Sequence, residues 1–132
     1  MASLRQEITI EANAVKVWDA LRDFGAVRTR VAPGFVVECR MDGDARIVTF
    51  HNGAVARERL VDLDDESMRL VYSIAPNERV EHYSAAVQVR SKAEATCRLI
   101  WTIDLLPNEL APYVRSQMEL AAARMKSALE KR

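Results

Sequence analysis

The sequence contains few of the residues that most metal and redox sites use, with two cysteines and two histidines among 132 residues. Cys39 and Cys97 lie far apart and form no Cys-x-x-Cys pair, so the spacing of a zinc knuckle or a redox motif is missing. His51 and His82 lack the His-Glu-x-x-His spacing of a metal-binding helix. We therefore expect two reduced core thiols, no metal ion and no cofactor.

The sequence also lacks an excess of either charge, since 19 basic residues balance 19 acidic ones. Proteins that bind nucleic acid or anionic membranes are usually basic, so we expect no nucleic-acid partner. No apolar run approaches the ~20 residues of a spanning helix, and residues 1–7 lack the apolar core of a signal peptide. These absences predict a cytoplasmic protein without membrane insertion. The length predicts a single domain over residues 1–132.

What the sequence does have is a long amphipathic segment at residues 108–132. Its apolar residues recur at helical spacing, with charged residues on the opposite face. The apolar positions are Leu110, Val114, Met118, Ala121, Met125, Ala128 and Leu129. Pro112 must lie in the first turn, so the helix begins either with Asn108 as its N-cap or at Pro112 itself. The pattern predicts a helix of about 35 Å that packs on a sheet.

Alternating apolar and polar residues predict seven strands upstream of this helix. The strands are expected at residues 4–11, 35–41, 46–52, 54–63, 68–75, 80–90 and 96–105. Two short helices follow Asn13 and end before Pro33-Gly34. Short turn sequences, of which Asn52-Gly53 is the sharpest, make successive strands antiparallel. The predicted class is α+β, with the order β-α-α-β6-α and a curved seven-stranded antiparallel sheet around the C-terminal helix.

A cavity is expected between the sheet and the helix, because one long and two short helices cannot fill a wide, curved sheet. Alternation along the strands assigns the residues that face it. Arg57 and Arg59 belong in water, which places Glu58 inward. Arg46 shares the apolar parity of its strand with Phe50. An inward carboxylate needs a partner, and Arg46 on the neighbouring strand is the candidate.

The same alternation selects the side chains that would contact a ligand. They are apolar and aromatic residues of the sheet and of the long helix, with hydroxyl, indole and amide groups as the polar contacts. The predicted ligand-binding set is Phe50, Leu70, Tyr72, Tyr83, Trp101, Tyr113, Gln117, Met118 and Ala121. For each tyrosine, a structural role with the hydroxyl at the rim of the sheet is the alternative.

Several stretches, in their order and spacing, resemble a known family. They are ITIEA (8–12), VWDALRDF (17–24), DAR (44–46), Gly53, VARERL (55–60), RLVYSI (69–74) and Trp101. Together they resemble the START-like, or Bet v 1-like (SRPBCC), superfamily and, within it, the polyketide cyclase/dehydrase and lipid-transport family. The resemblance implies the helix-grip fold, in which a curved antiparallel sheet holds a long C-terminal helix over an apolar cavity. Residues 30–33 depart from the Trp-His-Pro-like stretch that relatives often have there, so no role at the cavity mouth is carried over to them.

Three functions fit this arrangement. The first is binding of a small hydrophobic ligand such as a lipid, an isoprenoid or an aromatic polyketide-like molecule. The second is a cyclase or dehydratase in which Glu58, held by Arg46, is the general base and a tyrosine hydroxyl polarises a carbonyl; a purely structural ion pair is the alternative. The third is a non-catalytic protein-interaction module, and a homodimer is a further possibility. A cavity well below ~300 Å³ would favour the third function.

Overall fold

The computed structural model describes residues 1–131 and contains one seven-stranded antiparallel sheet. The strands are β1 (Ala2–Ile10), β2 (Val36–Asp42), β3 (Ala45–Phe50), β4 (Val55–Asp64), β5 (Arg69–Ile74), β6 (His82–Ala93) and β7 (Thr96–Leu106). Their order is β1-β7-β6-β5-β4-β3-β2, so β2 to β7 form a meander and β1 closes onto β7. The short turns between successive strands account for this neighbour-to-neighbour pairing.

Two α-helices and three short helical turns complete the fold. Helix α1 (Ala14–Arg22) follows β1 and is succeeded by a 3₁₀ turn (Phe24–Ala26) and a π-helical turn (Val27–Val31). A 3₁₀ turn (Asn108–Leu110) leads into helix α2 (Ala111–Leu129). The architecture confirms the predicted α+β helix-grip fold, with the long C-terminal helix lying on a curved antiparallel sheet. No helix within residues 1–131 combines the length and the apolar character that crossing a bilayer requires.

The amphipathic patterns of the helices explain where they begin and which faces they bury. Asn13 caps α1, because its Oδ1 accepts hydrogen bonds from the backbone N–H of Val15 at 2.9 Å and of Lys16 at 3.4 Å. The buried side of α1 includes Val17 and Trp18. In α2, Met118, Ala121, Met125 and Leu129 are buried, as their helical spacing predicts.

The core lies between the helices and the inner face of β7 and its neighbours. Leu99, Ile103 and Leu105 of β7 are at most 1% exposed, and Met118 of α2 is 1% exposed. The carboxyl end of α2 is fixed to the first strand. Lys126 Nζ donates to the carbonyl of Thr9 at 2.7 Å, and the Glu11 N–H donates to Glu130 Oε2 at 2.9 Å.

Two predicted boundaries, the start of the long helix and the end of β6, were wrong. The long helix starts at Ala111 rather than at Asn108 or Pro112, because residues 108–110 form a 3₁₀ turn; Pro112 does lie in the first turn. Its predicted end at Arg132 lies outside the described residues. Strand β6 continues to Ala93 rather than Arg90, since a bulge between Ser91 and Ala93 restores the pairing of Ala93 with Thr96.

Candidate ligand cavity and its buried ion pair

A cavity of about 570 Å³ lies between α2 and the part of the sheet formed by β3 to β7. Its walls are mainly aliphatic and aromatic. They include every residue of the predicted ligand-binding set, namely Phe50, Leu70, Tyr72, Tyr83, Trp101, Tyr113, Gln117, Met118 and Ala121, together with Arg46 and Glu58. The structure therefore gathers these side chains around one space. Their contact with a ligand stays a prediction.

Arg46 and Glu58 form an ion pair on the cavity wall. They lie directly opposite each other on β3 and β4, and Arg46 Nε donates to Glu58 Oε1 over 2.8 Å. Arg46 is 8% exposed and Glu58 is 6% exposed, and within residues 1–131 they are the only buried charged side chains. Their mutual charge compensates part of the desolvation cost that burial imposes on each of them.

Arg46 also connects the sheet to the segment that follows α1. Its Nη1 donates to the carbonyl of Phe24 at 3.1 Å. Its guanidinium carbon lies 3.9 Å from the centroid of the Phe24 ring and 5.1 Å from that of Tyr72, which are cation–π distances. The arginine therefore holds residues 24–26 against β3 while it neutralises Glu58.

The second carboxylate oxygen of Glu58 is not used by the protein. Glu58 Oε2 accepts no hydrogen bond from residues 1–131, although Oε1 is bound by Arg46. No fully buried side-chain oxygen in the described chain lacks a partner, so Oε2 must border the cavity rather than the packed core. This atom is an acceptor that a bound molecule can reach.

Tyr72 and Trp101 form a second polar pair on the same inner face. Trp101 Nε1 on β7 donates to the Tyr72 hydroxyl oxygen on β5 at 3.2 Å, so this hydrogen bond spans the intervening strand β6. Burial raises the pKa of Tyr72; the Glu58 charge adds to this rise, whereas Arg46 and the Trp101 hydrogen bond oppose it. The phenol is therefore neutral at physiological pH. Its O–H proton has no acceptor within residues 1–131 and can be donated to a ligand.

The hydroxyl of Tyr83 is a further donor without a partner in residues 1–131. Burial raises its pKa well above the ordinary value, and the neighbouring Tyr72 and Glu58 add to this effect. Its side chain is only half-buried by surface area, because part of it borders the cavity. The cavity wall thus offers two neutral phenol donors and one carboxylate acceptor.

The cavity opens where β4 and β5 separate. Pairing between these strands begins at Glu58 and Ile74, so the first residues of β4 have no partner on that side. Val55, at 64% exposure, lies at this gap, and the loop of residues 75–77 with Arg79 and Val80 forms the opposite rim. Tyr113, at 41% exposure, lies at the α2 side of the opening.

The β3–β4 turn closes the neighbouring side of the cavity by binding α2. Asn52 Nδ2 donates to the Tyr113 hydroxyl at 2.8 Å, and His51 Nε2 lies 3.1 Å from Gln117 Oε1. Sequence reasoning missed this contact. The Asn52-Gly53 pair predicts a sharp turn, but nothing in its local sequence indicates that the turn reaches a helix sixty residues later.

The two cysteines take no part in the site. Cys39 is half-buried, Cys97 is buried, and both are unpaired. Burial raises the pKa of each thiol, which disfavours the nucleophilic thiolate at neutral pH. Within residues 1–131 no group of three or more His, Cys, Asp or Glu side chains is arranged to hold a metal ion.

The sequence matches the model of a known protein family. The model of the family described as "Polyketide cyclase / dehydrase and lipid transport" matches residues 1–131. Among curated proteins, none matches the sequence.

Solved structures share the fold at low sequence identity. An uncharacterised protein from Bacillus thuringiensis has a TM-score of 0.85 at 18% identity, over 98% of this chain and 100% of that chain. A START superfamily protein from Mycobacterium smegmatis has a TM-score of 0.71 at 13% identity, over 97% and 94%. Norcoclaurine synthase from Thalictrum flavum, in complex with dopamine and hydroxybenzaldehyde, has a TM-score of 0.74 at 17% identity, over 98% and 84%. Because these sequence identities are low, the similarity establishes that this chain shares its fold with the three proteins.

Proposed function

Because the chain belongs to the polyketide cyclase/dehydrase and lipid-transport family of the START-like superfamily, we propose that it binds one small, largely apolar molecule between its sheet and α2. The observation that carries this proposal is the cavity of about 570 Å³. Its volume lies within the range of roughly 300–1,000 Å³ that holds small ligands, and its few polar groups converge on one wall. A lipid, an isoprenoid or an aromatic polyketide-like molecule has this chemistry.

The polar groups favour a ligand whose own polar end is uncharged. Arg46 and Glu58 are the buried charged side chains of the wall and their charges cancel, so the inner wall has no unpaired buried charge to balance an ion. Tyr72 and Tyr83 offer neutral O–H donors, which suit a carbonyl or ether oxygen. Leu70, Met118 and Ala121 supply apolar contacts for the rest of the molecule.

The direct test is to identify what the cavity holds. Protein purified under native conditions is denatured, extracted and analysed by mass spectrometry, and native mass spectrometry gives the stoichiometry. We expect one small apolar molecule per chain. Stripped protein should then bind the neutral fluorescent probe N-phenyl-1-naphthylamine saturably, and the extracted molecule should displace it. Absence of both a co-purified molecule and saturable probe binding would contradict the proposal.

Catalysis in the same cavity is the second candidate. Glu58 Oε2 is free of protein partners and shares the cavity wall with the unused O–H groups of Tyr72 and Tyr83. As a general base, Glu58 would take the proton next to a ketone while a phenol stabilises the enolate oxygen. The enolate carbon could then attack a second carbonyl, which is an aldol cyclisation, and loss of water would complete a dehydration.

We rank catalysis below binding because Arg46 already occupies Oε1 of Glu58, which is the arrangement of a structural ion pair. If a substrate is found, Glu58→Gln should retain binding and lose turnover. Unchanged turnover in that variant would reject the general-base role and leave Glu58 as half of a structural ion pair. The third function, an interaction module with a filled interior, is disfavoured because the cavity exceeds ~300 Å³.

A further inference from the structure

The outer face of the sheet carries a shallow depression that the cavity does not explain. It spans β1, β7, β6 and β5, on the opposite side of the sheet from α2. Its floor consists of small or uncharged residues, and arginines surround it. The lining residues are Arg5, Glu7, Arg69, Ala86, Gln88, Arg90, Arg98, Ile100 and Thr102.

Two of these arginines directly oppose each other. Arg90 on β6 pairs with Arg98 on β7. Both side chains point outward, because the residue before Arg90 (Val89) and the residue after Arg98 (Leu99) are buried on the inner face. Like charges at directly opposite positions destabilise an antiparallel pair. Arg69 on β5 pairs with Gln88, two residues from Arg90. Three guanidinium groups therefore arise from three adjacent strands, within about 10 Å of sheet width.

Acidic residues of the chain compensate little of this charge. Glu7 is the one acidic residue in the depression, and it is shared between Arg5 at 3.2 Å and Arg98 at 3.0 Å. Within residues 1–131, neither Arg69 nor Arg90 makes an ion pair. Arg90 Nη2 reaches only Gln88 Oε1, at 3.4 Å.

The chain as a whole has no net charge, whereas this depression holds four arginines close together. On β4, by contrast, both outward arginines have acidic partners, in the pairs of Arg57 with Asp42 and Arg59 with Asp44. Four arginines against one glutamate leave a local excess of three positive charges. Natural proteins break such local rules at functional sites, so this arrangement is a candidate site.

We propose that this depression binds a compact, soluble anion that carries a diphosphate group. Arginine forks form paired, charge-assisted hydrogen bonds with phosphate oxygens, and a diphosphate presents enough oxygens for Arg69, Arg90 and Arg98 together. The bound anion would replace the unfavourable Arg90–Arg98 opposition with a shared counter-charge. No large exposed hydrophobic side chain lines the depression, which favours a soluble anion over a membrane surface.

The test is isothermal titration of the full chain with inorganic pyrophosphate, with ionic strength held constant by sodium chloride. We expect one site per chain. Arg69→Gln and Arg90→Gln should each weaken binding about tenfold or more, as expected for loss of charge-assisted bonds. The matched control is Arg115→Gln on the exposed side of α2. It removes the same charge elsewhere and should change the affinity less than about twofold, because screening weakens its distant field.

A second readout separates a binding site from a structural arrangement. Arg90→Gln should raise the Tm of the free protein, because it removes the like-charge opposition, and it should reduce the Tm increase that pyrophosphate produces. Lack of binding would overturn the proposal. So would equal weakening in Arg115→Gln, or binding to phosphatidylglycerol vesicles without binding to pyrophosphate. A lower Tm for Arg90→Gln with unchanged affinity would also overturn it.

Discussion

Arg46 Nε donates a 2.8 Å hydrogen bond to Glu58 Oε1 across adjacent strands, and both side chains are over nine-tenths buried. Removing one partner of such a pair leaves an uncompensated charge. Arg46→Met should therefore lower the free energy of unfolding by about 3–5 kcal/mol, and adding Glu58→Leu should recover most of that loss. Urea unfolding of the two variants and the wild type measures both effects. A double variant as unstable as Arg46→Met would show that Arg46 stabilises the fold mainly through its Phe24 contacts.

Filling the cavity should abolish ligand binding without unfolding the protein. Ala121 lies on the inner side of α2 at 1% exposure and lines the cavity, whereas Ala123 on the same helix is exposed. Ala121→Leu should weaken binding of N-phenyl-1-naphthylamine about tenfold or more, because the larger leucine side chain occupies ligand space. Ala123→Leu makes the same change outside the cavity and should bind like the wild type. Fluorescence titration measures both, and equal affinities would place the probe elsewhere.

The two inward tyrosines should differ in what their hydroxyls contribute. Tyr72→Phe leaves the buried Trp101 Nε1 without its acceptor and should cost about 1–3 kcal/mol of stability. Tyr83→Phe removes a hydroxyl that no group in residues 1–131 binds, so its stability should stay within about 0.5 kcal/mol of the wild type. Urea unfolding tests this contrast. Equal losses would mean that the Tyr83 hydroxyl has a structural partner, such as an ordered water molecule.

Stability should fall at alkaline pH because of these same phenols. Burial raises the pKa of Tyr72 and Tyr83 above the ordinary value of 10.0, so both stay protonated in the folded protein after the unfolded chain has lost its phenolic protons. The folded state then binds more protons, and the free energy of unfolding decreases as pH rises through about 10. Comparing about pH 9 with about pH 11, Tyr83→Phe should lose less stability than the wild type, by up to about 1.4 kcal/mol per pH unit. Identical losses would contradict a buried Tyr83 phenol.

The fold could be predicted because its signals are local and repeat. Strand alternation and short turns specify the meander, and one amphipathic stripe specifies α2. The inward position of Glu58 followed from parity alone, since Arg57 and Arg59 on either side of it had to face water. The register that pairs Glu58 with Arg46 could be anticipated because a sharp turn joins their strands.

The contacts that were missed join residues distant in the sequence. Phe24 packs on Arg46 through its carbonyl and its ring, and the β3–β4 turn binds α2 through His51 and Asn52. The outer-face arginines were likewise invisible as a group, because Arg5, Arg69, Arg90 and Arg98 become neighbours only when the strand order is known. Such sites depend on register between separate strands, which local periodicity does not encode.

Helix α2 is held at both of its ends. Lys126 and Glu130 attach its carboxyl end to the first strand and the residue beyond it, while Tyr113 and Gln117 attach its first turns to the β3–β4 turn. Movement of the whole helix away from the sheet would have to break hydrogen bonds at both ends. We therefore expect a ligand to enter and leave through the opening between β4 and residues 75–80, so the rates of loading and release should depend on that opening and not on the helix.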